Sequence, residues 1–307
     1  MPVTEKIEKL QNILRNDSTN FQARRELAIL LLDNGFNDEA LAHFLKLAQV
    51  FKDDSALFYN IGITYEKLKQ FPNAIKAYKK AIELNPDDVD AMYNLGLVYS
   101  SNKNYSKAID CFETVLDNDT NDSNTYFNIG YCYFKLEKFD SARYYFERAV
   151  ELNSEDLYAH FYLGNIYLKD DADELAQNEF EKVLTISPDY SWAYYNLAVI
   201  DYRATDYTNA LEKLNKTIFY NPKDIEAYKI QVKILLKLNE FEQVIDTVSS
   251  AISKCGENGD LFYLLSEAYK NLGQTDRQKE AISLAIKNYN TLNADLTILK
   301  DELNNLK

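Results

Sequence analysis

The chain has 307 residues, of which 46% are apolar and 27% charged, and its formal net charge is −14. A surface this acidic argues against general attraction to nucleic acid or to an anionic membrane, because both bind proteins through basic patches. With only five prolines and eight glycines, the composition favours helix throughout, since helices tolerate these two residues least.

The N-terminal segment alternates charged and apolar residues and has no continuous apolar run. We therefore expect neither a signal peptide nor a membrane span there. Residues 4–16 carry a helical pattern, and we predict that residues 1–20 form a helix that caps the segment that follows.

Two rows of small residues, each spaced by 34 positions, run through the next part of the chain. The glycine row is Gly62, Gly96, Gly130 and Gly164, and the alanine row is Ala40, Ala74, Ala108, Ala142, Ala176 and Ala210. Constant spacing over this length indicates a tandem array. We expect about eight repeats over residues 21–292, the last two of them degenerate, because Gln231 and Gln278 stand where small or apolar residues are expected.

One repeat, residues 55–88, shows two helical patterns joined by a polar turn. Ile61, Gly62 and Tyr65 lie on one stripe at the spacing of an amphipathic helix. A second stripe begins at Ala74. Paired helices approach closely only where side chains are small, so we expect each glycine of the row to face an alanine of the second helix.

After the array, residues 293–307 continue the helical pattern. The segment and the residue before it carry leucines at a 4-3-4-3 spacing, Leu292, Leu296, Leu299, Leu303 and Leu306. We interpret the segment as a C-terminal cap, since terminal repeats need a polar outer face. The alternative is a coiled-coil dimer, which the same spacing would support.

The repeats resemble the tetratricopeptide repeat family. One repeat meets the family pattern with Tyr126, Ile129, Gly130, Tyr133, Ala142, Phe146 and Ala149. The resemblance covers most of the chain. It implies an all-α fold, a right-handed superhelical solenoid of antiparallel helix pairs, and a role in binding other proteins.

Catalytic signals are missing from the sequence, which has no phosphate-binding glycine loop, zinc-protease motif or nucleophile elbow. The histidines are His43 and His160, and His160 falls in a row of bulky residues, where packing is expected. Three cysteines without a CxxC pair favour a reducing, cytoplasmic location over a disulfide framework. We therefore predict no enzymatic activity, no cofactor and no metal site.

In the family, the first helices line the concave face, so the resemblance places one set of side chains there. The aromatic members are Phe127, Tyr131, Phe134, Tyr158, Phe161, Tyr162, Trp192, Tyr195 and Tyr202. The polar members are the asparagine row, Asn60, Asn94, Asn128 and Asn196, and the cations Arg203, Lys229, Lys233 and Lys237. Exposed aromatics anchor interfaces, asparagine amides bind peptide backbones, and the cations would attract carboxylates.

The predicted function is a scaffold or adaptor that binds an extended peptide or helix of a partner protein in the concave groove, with no role for nucleic acid or membrane. A monomer is favoured. One alternative is a self-assembling structural scaffold that uses the C-terminal helix or the convex face. Another is an accessory subunit that recruits substrates to a separate enzyme.

Overall fold

A computed structural model describes residues 2–118 and 120–306, which form helices joined by short turns and contain no strand. The helices are α1 (Val3–Asn16), α2 (Phe21–Asp33), α3 (Asn37–Ala48), α4 (Ser55–Lys67), α5 (Phe71–Leu84), α6 (Val89–Ser101), α7 (Tyr105–Asn118), α8 (Ser123–Lys135), α9 (Phe139–Leu152), α10 (Leu157–Lys169), α11 (Asp173–Ile186), α12 (Ser191–Arg203), α13 (Tyr207–Tyr220), α14 (Ile225–Lys237), α15 (Phe241–Cys255), α16 (Gly259–Asn271), α17 (Thr275–Lys287) and α18 (Leu296–Asn305). A 3₁₀ turn at Tyr289–Thr291 precedes α18. The all-helical prediction is confirmed.

The chain divides into two compact units, Met1–Ala159 and His160–Lys307. Within each unit the helices alternate as predicted. The even-numbered helices from α2 to α16 are the first helices of the repeats, and the odd-numbered helices from α3 to α17 are the second helices.

The first helices begin at side-chain caps that recur every 34 residues. Asp54 accepts a hydrogen bond from the backbone N–H of Leu57, and Asp88 does the same for Ala91. Equivalent caps are formed by Asn20, Asp122, Asp156, Asp224 and Asn258. Such a cap satisfies a backbone donor that the helix itself leaves unpaired and stabilises the helix by about 1 kcal/mol. Tyr190, before α12, lacks a side-chain cap.

The turns inside the repeats also share one backbone geometry. In the turn after α4, the N–H of Gln70 donates to the carbonyl of Tyr65 at 2.8 Å, and Lys69 N–H donates to the carbonyl of Glu66 at 2.8 Å. This pair of bonds is a Schellman motif, which requires a positive φ at its end. Positive φ angles recur at Gly35, Lys69, Lys103, Glu137, Asp171, Thr205, Asn239 and Gly273. Only the first and last of these positions carry glycine.

The contact made by the glycine row differs from the prediction. A Cβ added at Gly62 would lie 2.6 Å from the ring of Tyr78, and one added at Gly96 would lie 2.6 Å from the ring of Phe112. Each glycine therefore faces an aromatic ring of the second helix rather than an alanine. In these four repeats the ring covers the first-helix backbone so closely that a Cβ would require a shift of the ring or the helix.

The C-terminal leucines pack within the chain. Leu299 is buried, and Leu292, Leu303 and Leu306 lie against the same cluster, which also contains Phe262. These contacts occupy side chains that a coiled-coil seam would need, and the capping role of the segment stays a prediction.

Candidate partner-binding surface

The predicted site residues lie on the first helices of both units. In the first unit, Phe127 of α8 is half-buried and packs on Phe146 of α9, with ring centroids 5.6 Å apart. The Tyr131 and Tyr158 rings each lie 6.4 Å from Phe127. Tyr158 is 58% exposed, so it presents the most accessible ring of this group. Phe127 mainly provides apolar surface on which the Tyr158 ring packs.

Phe134, the other predicted aromatic of the first unit, packs edge-on against Phe139 with centroids 5.6 Å apart. This contact spans the turn between α8 and α9. The Phe134 ring therefore helps to hold the two helices of one repeat together.

In the second unit, Trp192 is the most exposed of the predicted aromatics, at 51%. Phe161 is half-buried among aromatic rings and lies 5.3 Å from the Tyr190 centroid and 5.9 Å from that of Tyr162. Burial, together with the nearby Glu226 carboxylate, raises the pKa of Tyr195, so that its hydroxyl stays protonated. Among the predicted aromatics of this unit, Trp192 is thus the ring with the most area available for a partner.

The asparagine row makes internal hydrogen bonds. The side-chain amides donate from Asn94 to the Tyr59 hydroxyl at 2.9 Å, from Asn128 to the Tyr93 hydroxyl at 2.8 Å, from Asn60 to the Ala56 carbonyl at 3.0 Å, and from Asn196 to Asn165 Oδ1 at 3.2 Å. Three of these bonds, those of Asn94, Asn128 and Asn196, link a first helix to the first helix of the preceding repeat. Each uses one amide hydrogen, and the binding of a partner backbone by this row stays a prediction.

Three of the four predicted cations are paired inside the second unit. Arg203 Nη1 lies 3.4 Å from Asp171 Oδ1 and 3.3 Å from Asp173 Oδ1. Lys237 Nζ donates to the Tyr207 hydroxyl at 3.3 Å and lies 5.0 Å from the centroid of the Tyr202 ring. These contacts fix the ends of first helices to neighbouring elements.

Lys229 is the most enclosed of the four, with a side chain only 12% exposed. Its ammonium group lies 2.7 Å from Glu226 Oε1 and 3.2 Å from Asp260 Oδ2. By contrast, Lys233 is exposed and forms no ion pair with any residue that the structure describes. The free positive charge that the sequence predicts here is therefore carried by Lys233.

Lys229 and Lys233 line a pocket of about 410 Å³ together with residues that the sequence analysis did not select. The other lining residues are Glu226, Asp260, Tyr263, Leu264, Asn293 and Ala294. Asp260 stands 34 positions after Glu226, so the repeat spacing identifies it in the sequence as the equivalent residue of the next first helix. Asn293 lies beyond the last repeat, and no feature of the sequence identifies it as a pocket residue. We call this feature the Lys233 pocket.

The histidines and cysteines occupy structural positions. His160 is buried, with Nδ1 2.6 Å from Glu179 Oε2, so it packs as expected but also forms a buried polar pair. Burial raises the pKa of Cys111 and of Cys132 to about 11, and a protonated buried thiol is a poor nucleophile. Among residues 2–118 and 120–306, no group of His, Cys, Asp or Glu has the arrangement of a metal site.

Family models match two parts of the chain. A model described as TPR repeat matches residues 67–103, and models described as Tetratricopeptide repeat match residues 88–155, 127–191 and 259–291. The last match coincides with α16, α17 and the 3₁₀ turn. A search of curated proteins returns no match.

Solved structures of similar proteins include YrrB, described as a TPR protein with an unusual peptide-binding site. It is 29% identical, with 60% of this chain and 95% of that chain covered and a TM-score of 0.51. MamA of Desulfovibrio magneticus RS-1 is 25% identical over 56% of this chain and 97% of its own, with a TM-score of 0.53. A tetratricopeptide repeat protein of Parabacteroides merdae is 15% identical over 81% of this chain and 97% of its own, with a TM-score of 0.58. At this identity the likeness supports the fold alone.

None of the helices in the described part of the chain combines the length and the apolar character that a membrane crossing requires.

Proposed function

The chain belongs to the tetratricopeptide repeat family, and we propose that it is a non-enzymatic scaffold that binds an extended segment or a helix of a partner protein through its first helices. The observation that carries this proposal is the exposure of Trp192 on α12, a first helix of the unit that also contains the Lys233 pocket. A large aromatic side chain that is half exposed in the free protein offers a partner much apolar area at low entropic cost.

The comparison with YrrB also supports the proposal. That protein is described by its peptide-binding site and is 29% identical to this chain. The internal hydrogen bonds of Asn60, Asn94 and Asn128 are compatible with peptide binding, because each of these half-buried side-chain amides retains its second N–H. Asn196 is buried and offers a partner little surface. In the proposed complex, exposed rings provide the apolar anchor and the asparagine row adds polar contacts.

The scaffold is proposed to act in the cytoplasm. Cys111, Cys132 and Cys255 are all free thiols, and free cysteines are typical of a reducing compartment. Recruitment of substrates to a separate enzyme would use the same surface and is one form that the scaffold role can take.

Selection from a displayed library of random peptides tests the proposal. Selected peptides should bind the wild-type chain, and their affinity should fall at least about tenfold in Trp192→Ala, as expected for an interface anchor. Phe219→Ala is the matched control, since Phe219 is an aromatic residue of the same unit that is 75% exposed but lies on a second helix. Equal losses in the two variants, or no loss in either, would contradict a binding site on the first helices.

Self-assembly is the competing function and can be measured directly. The packing of Leu292, Leu299, Leu303 and Leu306 inside the second unit argues against it. Sedimentation over a wide range of concentrations should give a monomer throughout, whereas a concentration-dependent dimer would favour the structural scaffold.

A further inference from the structure

The Lys233 pocket brings two first helices together with the segment that precedes α18. Glu226, Lys229 and Lys233 lie on one stripe of α14, at spacings of three and four residues. Asp260, Tyr263 and Leu264 come from α16, and Asn293 and Ala294 complete the lining. The pocket has a volume of about 410 Å³, which is enough to take one side chain with its adjoining backbone.

Most of the charge in the pocket is already paired. The ammonium group of Lys229 lies between the carboxylates of Glu226 and Asp260, at 2.7 and 3.2 Å. Asp260 also accepts hydrogen bonds from the backbone N–H of Asn293, at 2.7 Å, and from its side-chain amide. Asp260 and Lys229 therefore line one side of the pocket, and the charge of each is paired with groups of the protein itself.

Lys233, one turn further along α14, is different. It is exposed, and it forms neither an ion pair nor a hydrogen bond with any of the described residues. Its ammonium group is thus the cation in the pocket that a ligand can engage. A single cation near the carboxylates of Glu226 and Asp260 suits an anion with one negative charge better than a doubly charged phosphate, which those carboxylates would repel.

The remaining lining is largely apolar or neutral. Leu264 and Ala294 provide apolar surface. Burial and the nearby carboxylate of Glu267 raise the pKa of Tyr263, which keeps its hydroxyl protonated and able to donate a hydrogen bond. The methylene groups of an acidic side chain would contact this apolar surface while its carboxylate reached Lys233.

We propose that the Lys233 pocket binds the side-chain carboxylate of an Asp or Glu in the partner segment, next to an apolar partner residue on Trp192. The inference rests on the proposed function and specifies the chemistry of the partner. Trp192 stands 34 positions before Glu226 and so occupies the equivalent point of the preceding first helix. Packed helices lie about 8–10 Å apart, and Lys233 stands seven residues after Glu226, a further ~10 Å along the helix axis. The direct separation is therefore about 14 Å, which an extended chain that advances about 3.3 Å per residue covers in about four residues.

A peptide array tests this arrangement. The probes are peptides that carry an apolar residue, three variable residues and Glu, each paired with a version in which Gln replaces Glu. Wild-type protein should bind the Glu peptides about fivefold more tightly than the Gln peptides, as for a partly exposed ion pair. The preference should disappear in Lys233→Gln and persist in Lys254→Gln, which removes an exposed lysine of α15 outside the pocket.

Further variants separate the possible outcomes. Lys233→Glu should reverse the preference toward peptides with Lys in place of Glu, and this reversal would not follow from a general loss of folding. Peptides that bind through Trp192 without any preference for Glu would overturn this inference and leave the proposed function intact. Absence of all peptide binding would overturn both. A preference that depends on a free C-terminal carboxylate, tested with amidated peptides, would also contradict a side-chain site.

Discussion

The ring of Phe146 lies against the backbone of Gly130, so that a Cβ added at this glycine would stand 2.9 Å from Phe146 Cδ1. Real Cβ atoms do not approach other atoms this closely, and Phe146 is fully buried, so an added Cβ would force the ring or the helix to shift. In the repeat that contains Ala198, the equivalent second-helix residue is Leu214. The first repeat has Ala28 at the glycine position and Phe44 at the ring position, so an alanine here occurs with either a leucine or a ring.

The first prediction concerns this pair. Gly130→Ala should lower the free energy of unfolding by about 1–3 kcal/mol, because the added methyl group overpacks a filled core. Phe146→Leu alone should cost about 1–2 kcal/mol through lost packing. Together the two substitutions recreate the Ala–Leu pair of the later repeat. In urea unfolding, the double variant should therefore lose less free energy of unfolding than the sum of the losses in the two single variants. Strict additivity would mean that the two residues do not compete for the same space.

The second prediction concerns the turn after α12. Thr205 adopts a φ of 61°, a conformation that a β-branched residue disfavours. Thr205→Gly should therefore raise the free energy of unfolding by about 0.5–1 kcal/mol. Thr114→Gly, in the middle of α7, is the control and should lower stability, because glycine weakens a helix interior. Destabilisation by Thr205→Gly would contradict a strained turn.

The third prediction concerns Glu179 and its dependence on pH. Burial alone would raise the pKa of this carboxyl, but hydrogen bonds with His160 and Lys182 outweigh burial and hold the pKa below its ordinary value of 4.5. A group whose pKa falls on folding adds stability above the unfolded-state pKa and loses it as the pH drops. The stability difference between wild type and Glu179→Gln should thus shrink from about pH 6 to about pH 3.

Glu181→Gln provides the comparison for that experiment, since Glu181 is an exposed carboxylate on the same helix. Its stability difference from wild type should change little over the same range. A constant difference for Glu179→Gln would show that the pair with His160 does not lower the pKa of the carboxyl.

The fourth prediction concerns thiol reactivity. Cys111 and Cys132 are buried with pKa values raised to about 11, whereas Cys255 is partly exposed. A thiol reagent at about pH 8 should label one cysteine in the folded protein and all three after denaturation. Rapid labelling of Cys132 in the folded state would mean that α8 opens locally far more often than its packing indicates.

The sequence allowed the helix pairs and their period to be predicted, because glycine and alanine recur at fixed positions. It did not reveal the shared turn geometry, since residues as different as Lys69 and Thr205 occupy it and the constraint acts on the backbone. The ring over Gly130 was missed because spacing alone does not say which second-helix side chain meets the glycine.

The candidate site was predicted in part. Trp192 and Lys233 were selected from their positions on the first helices, and both are exposed in the folded chain. The pairing of Lys229 with Asp260 depends on two different repeats, and the role of Asn293 depends on the path of the chain after α17. Contacts of this kind arise from tertiary structure and leave no local pattern in the sequence.

Trp192 is the only tryptophan of the chain, so its fluorescence reports directly on the proposed binding surface. Titration with a peptide selected for binding should shift the emission of this half-exposed indole to shorter wavelength, because the partner removes it from water. The midpoint of that shift should match the dissociation constant measured on labelled peptide. An unchanged emission spectrum at saturating peptide would contradict binding on the first helices.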